Sequence, residues 1–213
     1  MAAGSAESAV QALIAYRRKI RRRDRDNEEL PVIYNDFIAL GSSPSTEKDM
    51  PLVDAAAELD CDVFCIDAGW YDTGNWWDRV GEWQVCEERV PGGLKELTDY
   101  IEKKDMIPGI WLEPEVMGIA CPMAENLPDD WFFCRRGKRV IDNARYMLDF
   151  SNPDVCRHID GVIDGLIRDY RIGYLKLDYN IDAGVGTECH SDSYGDGLLR
   201  HNRAYLKWAE KLL

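Results

Sequence analysis

The segment Tyr174-Leu-Lys-Leu-Asp-Tyr-Asn180 decides how this chain of 213 residues is interpreted. Its alternating leucines and polar residues are typical of a short strand, which we expect to be buried. Because side chains two positions apart on a strand share a face, Lys176 and Asp178 lie together at its C-terminal end. The segment therefore predicts an acid beside a base at the tip of a strand.

Three earlier segments have the same strand-like character, at 31–36, 62–67 and 107–113. Apolar residues at helical spacing predict helices at 47–59, 94–104, 153–169 and 198–213, the first with Thr46 as its N-cap. The span 114–150 is predicted to be irregular, apart from a short apolar element at 146–150. Strands that alternate with helices in this way predict an α/β fold with a parallel sheet.

The order of the elements favours a barrel over a nucleotide-binding sheet. No GxGxxG sequence follows the first strand, and no P-loop lysine motif occurs. A complete (β/α)8 TIM barrel takes about 250 residues, whereas four βα units already fill this chain. We therefore interpret residues 31–213 as the N-terminal half of such a barrel, truncated to about the first four units.

Residues 1–30 are predicted to form a helical connector before the barrel. Val10, Leu13, Ile14 and Ile20 recur at roughly helical spacing, and the basic run 17–23 ends the segment. This pattern indicates an amphipathic helix whose basic face is solvated. With a net charge of −13 for the whole chain, it does not predict a nucleic-acid partner.

Composition limits the other classes of function. The three histidines have no ligand-like spacing, so we expect neither a metal nor a cofactor. No run of about 18 apolar residues occurs, so we expect no membrane span. The cysteines number seven and include no CxxC pair, which predicts buried free thiols. Free thiols, and a start without the basic-then-apolar order of a secretory signal, predict a cytoplasmic location.

Candidate functional residues end three successive strands. Asp67 ends the second strand, Trp111 and Glu113 end the third, and Lys176 and Asp178 end the fourth. Four tryptophans, Trp70, Trp76, Trp77 and Trp83, follow in the loop after the second strand. Tryptophan faces cover the apolar C–H faces of sugars, while acids and bases bond the hydroxyls. An acid at one strand end is often only a turn former, and loop tryptophans are often packing, but their repetition favours a sugar site.

Four motifs carry a specific resemblance. Ile66-Asp-Ala-Gly-Trp70, Val90-Pro-Gly-Gly-Leu94, Gly109-Ile-Trp-Leu-Glu-Pro-Glu115 and the opening segment occur in order. Together they resemble the catalytic barrel of the family thirty-six glycoside hydrolases, the α-galactosidase and raffinose-synthase group, over residues 31–213. The resemblance implies retaining hydrolysis of terminal α-galactosides in oligosaccharides or glycoconjugates, without a cofactor.

The resemblance also implies roles for individual residues. Asp178 is the expected nucleophile, which Lys176 would keep ionised. Asp67 is expected to bind hydroxyls on the far side of the sugar, Lys176 to bond a ring hydroxyl, and Arg145 to support the sugar-binding acids. The full set expected to bind substrate is Phe37, Asp67, Trp70, Trp111, Glu113, Arg145, Lys176 and Asn180.

Departures from the family pattern leave alternatives open. Ala68 stands where relatives often have a second aspartate, and Phe37, which we place on the first strand, stands where many have tryptophan. The acid/base that retaining cleavage requires falls on a later strand, beyond Leu213, so we expect the isolated chain to be inactive. Galactosyl transfer as in raffinose synthases, α-N-acetylgalactosaminidase activity and a non-catalytic, sugar-binding half-barrel that pairs into a homo-oligomer remain alternatives.

Overall fold

A computed structural model describes residues 4–21 and 28–212 of the chain. The chain divides into two compact units, residues 1–31 and 32–213. No helix in the described ranges is long and apolar enough to cross a membrane.

The first unit contains helix α1, Ala6–Ile20. The Ser5 hydroxyl caps it by accepting a hydrogen bond from the Ser8 N–H at 3.3 Å. Basic residues occupy its last turn, where they complement the negative end of the helix dipole. The predicted helix is confirmed, and none of its residues is buried. The end of the predicted basic run, 22–23, lies outside the described residues.

The second unit is built on a parallel sheet of four strands, β1 (Ile33–Asn35), β2 (Val63–Ile66), β3 (Ile107–Leu112) and β9 (Tyr174–Leu177). They lie in the order β1-β2-β3-β9. The register pairs Cys65 with Gly109, and Trp111 with Lys176. The α/β fold with a parallel sheet is therefore confirmed. Their shared orientation brings the C-terminal ends of all four strands to one edge.

One expectation about this sheet is wrong. All four residues of β2 are buried, but β9 is half-exposed and Leu177 is 36% exposed. Strand β9 is more exposed because it pairs only with β3 in the described residues and so forms an edge of the sheet. The segment that carries Lys176 and Asp178 therefore lies on an edge strand.

Helices lie between the strands of the sheet along the chain, and a last helix follows β9. They are α2 (Phe37–Leu40), α3 (Thr46–Glu58), α4 (Trp76–Arg79), α5 (Lys95–Lys103), α6 (Pro153–Tyr170) and α7 (Tyr194–Ala209). The N-cap of α3 is Ser45 rather than the predicted Thr46, since the Ser45 hydroxyl accepts from the Lys48 N–H. Asn152 caps α6, and Ser193 caps α7, which starts at Tyr194, four residues before the predicted Leu198.

The prediction of an irregular span at 114–150 is wrong in part. Five short strands lie there: β4 (Val116–Gly118), β5 (Cys134–Arg135), β6 (Lys138–Arg139), β7 (Ile141–Asp142) and β8 (Arg145–Met147). Three of them form an antiparallel sheet in the order β4-β8-β7, and β5 and β6 form a two-stranded hairpin. Strands of two or three residues are too short to produce a visible period in the sequence.

The thiols are free, as predicted, but only some of them are buried. Cys65, Cys121 and Cys134 are enclosed by the core, whereas Cys61, Cys86, Cys156 and Cys189 are half-buried. Cys61 follows the last turn of α3, where the chain turns into β2 at the surface. The prediction of burial is therefore wrong for four of the seven.

Candidate active site

Polar side chains collect at the edge of the sheet where the parallel strands end. Asp67 follows β2, Glu113 follows β3, and Lys176 and Asp178 lie at the end of β9. The structure brings these predicted residues together, as hydrogen bonds between them show. This edge is therefore the candidate active site.

Asp67 is an enclosed carboxylate, 2% exposed. Its Oδ2 accepts hydrogen bonds from Lys176 Nζ and from Asn35 Nδ2, each at 2.7 Å. Its Oδ1 accepts from the backbone N–H of Ala68 at 2.8 Å. Burial alone would lower the pKa of Lys176, but the hydrogen bond and charge of Asp67 outweigh it and raise that pKa. The pair is therefore a fixed ion pair in which Lys176 is the more exposed partner.

Asp178 is a half-buried carboxylate on the other side of Lys176. Its Oδ2 accepts from Trp111 Nε1 at 3.0 Å and from Asn180 Nδ2 at 2.8 Å. Its Oδ1 accepts from the Tyr179 N–H at 2.9 Å, and from no other donor in the described part of the chain. Oδ1 is therefore the less engaged oxygen.

The ionisation of Asp178 has a cause that differs from the predicted one. Burial would raise its pKa, but the hydrogen bonds from Trp111, Asn180 and Tyr179 outweigh burial and the pKa is lowered. The charge of Lys176 has the smallest effect of these, because the ammonium is bonded directly to Asp67. Asp178 is thus held as an anion mainly by neutral donors.

A fully buried ion pair supports this edge from below. Glu113 and Arg145 are both unexposed and bond through Glu113 Oε2 and Arg145 Nη1. The other Glu113 oxygen, Oε1, accepts from the backbone N–H of Asn180 at 2.6 Å. Arg145 also donates to the carbonyl of Trp77 at 2.7 Å. The pair therefore joins the loop after β9 to the tryptophan loop, and neither side chain is exposed to a ligand.

The aromatic residues form a packed wall. Trp111 is 1% exposed and contacts the rings of Tyr71, Trp76 and Trp83 at centroid distances of 6.3, 5.6 and 5.8 Å. Trp70 has no exposed surface, and its indole donates to the Trp111 carbonyl at 3.0 Å. Trp70 thus lies behind the wall, and the indole N–H of Trp111 reaches the site.

Phe37 lies off the strand on which we placed it. Strand β1 ends at Asn35, and Phe37 begins helix α2. It is 39% exposed and packs edge-on against half-buried Trp76, with 6.4 Å between ring centroids. Phe37 and Trp76 therefore form a partly exposed aromatic pair.

Sequence reasoning missed two residues of this edge, Asn35 and Asp36. Asn35 bonds Asp67 directly, and the carboxyl of Asp36 accepts the backbone N–H of Asp67 at 2.8 Å. Both residues end the first strand, so the rule that identified Asp67 and Asp178 also applies to them. The described residues contain no group of three histidine, cysteine or acidic side chains that could hold a metal ion.

Comparisons with known proteins agree on one family. A family model described as Melibiase matches residues 4–200. Alpha-galactosidase 1 of Pediococcus pentosaceus is 29% identical over 167 residues, which are 77% of this chain and 22% of that protein. Alpha-galactosidase Mel36A of Lactobacillus acidophilus is 24% identical over 92% of this chain and 27% of its own length. The chain thus spans about a quarter of the length of these curated relatives.

A solved structure supports the fold. The GH36 alpha-galactosidase AgaB from Geobacillus stearothermophilus superposes with a TM-score of 0.79 at 23% identity, over 92% of this chain and 28% of that one. Because one family model matches most of the sequence, the chain belongs to the Melibiase family, within the family thirty-six α-galactosidase group that its four motifs predicted.

Proposed function

We propose that this chain carries the nucleophile and one wall of the sugar pocket of a retaining glycoside hydrolase that cleaves terminal α-galactosides. The observation that carries the proposal is Asp178, an accessible carboxylate with a lowered pKa beside the Asp67–Lys176 ion pair. A nucleophilic carboxylate must be ionised, and a sugar needs charged partners for its hydroxyls. Family membership supports the same reaction.

In this mechanism the less engaged oxygen of Asp178, Oδ1, attacks the anomeric carbon of the galactose. A glycosyl ester forms as the bond to the leaving group breaks, and water then hydrolyses the ester. Trp111 and Asn180 hold Oδ2 and so fix the direction in which Oδ1 points. Asp67 and Lys176 bind hydroxyls on the far side of the ring. Glu113 and Arg145 act by fixing Asn180 and the tryptophan loop.

The same mechanism needs a carboxylic acid about 5–5.5 Å from the nucleophile. We assign the parallel sheet and its helices to the first four βα units of a (β/α)8 barrel, and we assign the acid/base to a later strand. This chain spans only about a quarter of the length of its curated relatives, which supports that assignment. On this view residues 1–213 alone do not turn over an ordinary α-galactoside.

Substrate class is inferred from the neighbours. Alpha-galactosidase AgaA of Geobacillus stearothermophilus has been solved in complex with raffinose, and with stachyose. We propose that α-galactoside oligosaccharides of this kind are the substrates here. Buried Ala68 lies beside Asp67 and supplies no hydrogen-bond partner for a hydroxyl. We therefore expect the preference among sugar hydroxyls to differ from that of relatives with an aspartate at this position.

Covalent labelling tests the nucleophile without requiring an acid/base. Because fluoride leaves α-galactosyl fluoride without being protonated, we expect Asp178 to form the glycosyl ester without help from a general acid. We expect intact-protein mass spectrometry to show one added hexosyl group, and peptide mapping to place it at Asp178. Asp178→Asn abolishes the label, and Asp105→Asn, a change at an exposed residue that already has positive φ, retains it.

Other outcomes of this experiment favour other functions. A folded chain that binds galactose as a stable dimer but is never labelled supports the non-catalytic half-barrel. Labelling by the N-acetylgalactosaminyl fluoride in preference supports an α-N-acetylgalactosaminidase. Transfer of the label to sucrose faster than to water supports a galactosyltransferase of the raffinose-synthase type. A label on any residue other than Asp178 contradicts the assignment of the nucleophile.

A further inference from the structure

Two acidic side chains are buried directly behind Asp67. Asp36 follows strand β1, and Asp49 lies in the first turn of helix α3. Both are 0% exposed, and each carboxyl group acts on the pKa of the other. Acidic residues are rarely buried without a partner, so the burial of these two requires an explanation.

Each carboxyl group of the pair has one oxygen that accepts a hydrogen bond and one that does not. Asp36 Oδ1 accepts from the Asp67 N–H at 2.8 Å, and Asp49 Oδ2 accepts from the Ser45 N–H at 2.9 Å. Asp36 Oδ2 and Asp49 Oδ1 are buried, and no donor reaches either of them within the described chain. Two neighbouring carboxylates that are both ionised repel each other, and their buried oxygens lose their hydration. One proton between them would satisfy both.

The surrounding charges also favour a proton. A third carboxylate, Asp67, faces Asp36 from the end of β2, and Lys176 of β9 is bonded directly to Asp67. Lys48 of α3 acts on Asp49, but its exposed ammonium is bonded to the Ser43 carbonyl at 3.2 Å. The remaining titratable group beside the pair is the Cys65 thiol, whose pKa burial raises to about 12. The ammonium groups therefore do not neutralise three carboxylates.

We propose that Asp36 and Asp49 share one proton, and that this hydrogen-bonded acid pair positions Asp67 to bind sugar. Asp36 is then a positioning residue, because it acts on the site through the backbone N–H of Asp67. The pair also links three elements, since it connects the end of β1, the end of β2 and the capped start of α3. The part of the proposal that concerns sugar rests on the proposed function, whereas the shared proton does not.

Burial and the charge of the neighbouring carboxylate are the causes that hold the proton. Burial, followed by the charge of Asp49, raises the pKa of Asp36 to about 9, and burial raises the pKa of Asp49 by less. At neutral pH the pair therefore keeps one proton. Above about pH 9 a second negative charge forms beside Asp67, and we expect the Asp67–Lys176 geometry to loosen.

Asp36→Asn is the test variant. An asparagine oxygen can accept from the Asp67 N–H while its amide donates to Asp49, so the variant keeps the link without a titrating proton. Asp60→Asn, at an exposed position with positive φ, is the matched control. Carbon-13 NMR of aspartate carboxyls across pH measures the proton, and calorimetric titration with galactose across the same range measures the site.

The expected results separate the two parts of the proposal. In the unchanged chain and the Asp60→Asn control, one carboxyl titrates near pH 9, and galactose affinity falls by up to about tenfold per pH unit above that point. In Asp36→Asn both the titration and the loss of affinity disappear. If the titration is present but galactose binds to no variant, the acid pair stands and the proposed function fails.

Three results would overturn the proposal. The first is that all carboxyls are ionised at neutral pH. The second is that the raised titration is present but galactose affinity has the same pH profile in the unchanged chain and in Asp36→Asn. The third is that added Mg²⁺ or Ca²⁺ stabilises the unchanged chain but not Asp36→Asn, which would place a cation rather than a proton between the two carboxyls.

Discussion

The two carboxylates of the site are held in opposite ways. Asp67 ends a buried central strand, is 2% exposed, and is paired with an ammonium. Asp178 ends an edge strand, is half-buried, and is held mainly by neutral N–H donors. We therefore propose that Asp178, rather than Asp67, is the acid that reacts. A carboxylate enclosed by a charged partner is fixed for binding, whereas one that keeps a lightly engaged oxygen at the surface is available to attack.

Supporting residues follow the same division. Behind Asp67 lies the Asp36–Asp49 pair, in which a proton and a helix start set the geometry. Behind Asp178 lies the Glu113–Arg145 ion pair, which holds the backbone of Asn180.

The largest expected effect is on stability, from Arg145→Met. The change leaves Glu113 buried without its charged partner, which costs about 3–5 kcal/mol of unfolding free energy. Urea unfolding followed by circular dichroism measures the loss. The double change Glu113→Gln with Arg145→Met should recover part of the loss, because no unpaired charge is left. Equal stability of the single and double variants would contradict a structural ion pair.

Asp36→Asn should change how stability depends on pH. Asp36 has a folded pKa raised above its unfolded value, so its contribution is fully present below about pH 4 and is lost as pH rises toward about 9. Between these limits the slope is about 1.4 kcal/mol per pH unit. The stability of Asp36→Asn relative to the unchanged chain should therefore rise with pH by that amount. Denaturant titrations at about pH 5, 6.5 and 8 measure it, and parallel curves for the two proteins would contradict a raised pKa.

The sequence predicted the parallel sheet, and most of the polar residues that meet at its C-terminal edge, for a physical reason. Strands β2 and β3 are buried, so their apolar runs and terminal acids are distinct in the sequence. It could not predict that Lys176 bonds Asp67 rather than Asp178, since both carboxylates lie within reach of the same strand end. Nor could it predict that Trp70 is enclosed, because enclosure depends on how the loop from 69 to 83 folds back over Trp111.

Trp111→Phe should raise the pKa of Asp178, because it removes the strongest of the donors to that carboxylate while keeping a ring in the wall. The folded pKa of Asp178 is depressed, so its contribution to stability is present above about pH 4 and is lost as pH falls through the folded pKa. The destabilisation caused by Trp111→Phe should thus shrink in acid. As pH is lowered, the labelling rate with α-galactosyl fluoride should therefore begin to fall at a higher pH in the variant than in the unchanged chain. If the rate falls at the same pH in both proteins, the hydrogen bond from Trp111 does not lower the pKa of Asp178.

The smallest expected effect concerns the start of α3, which carries Asp49. Ser45→Ala removes the side-chain cap and should cost about 1 kcal/mol of unfolding free energy, since one N–H at the helix start loses its acceptor. Thr46→Ala is the matched control, because Ser45, not Thr46, caps the helix. If the acid pair depends on this helix start, Ser45→Ala should also move the titration of Asp36 while leaving that of Asp178 unchanged. A shift at both carboxylates would show that the supports behind Asp67 and behind Asp178 are coupled. The two would then belong to one continuous network and would not be independent.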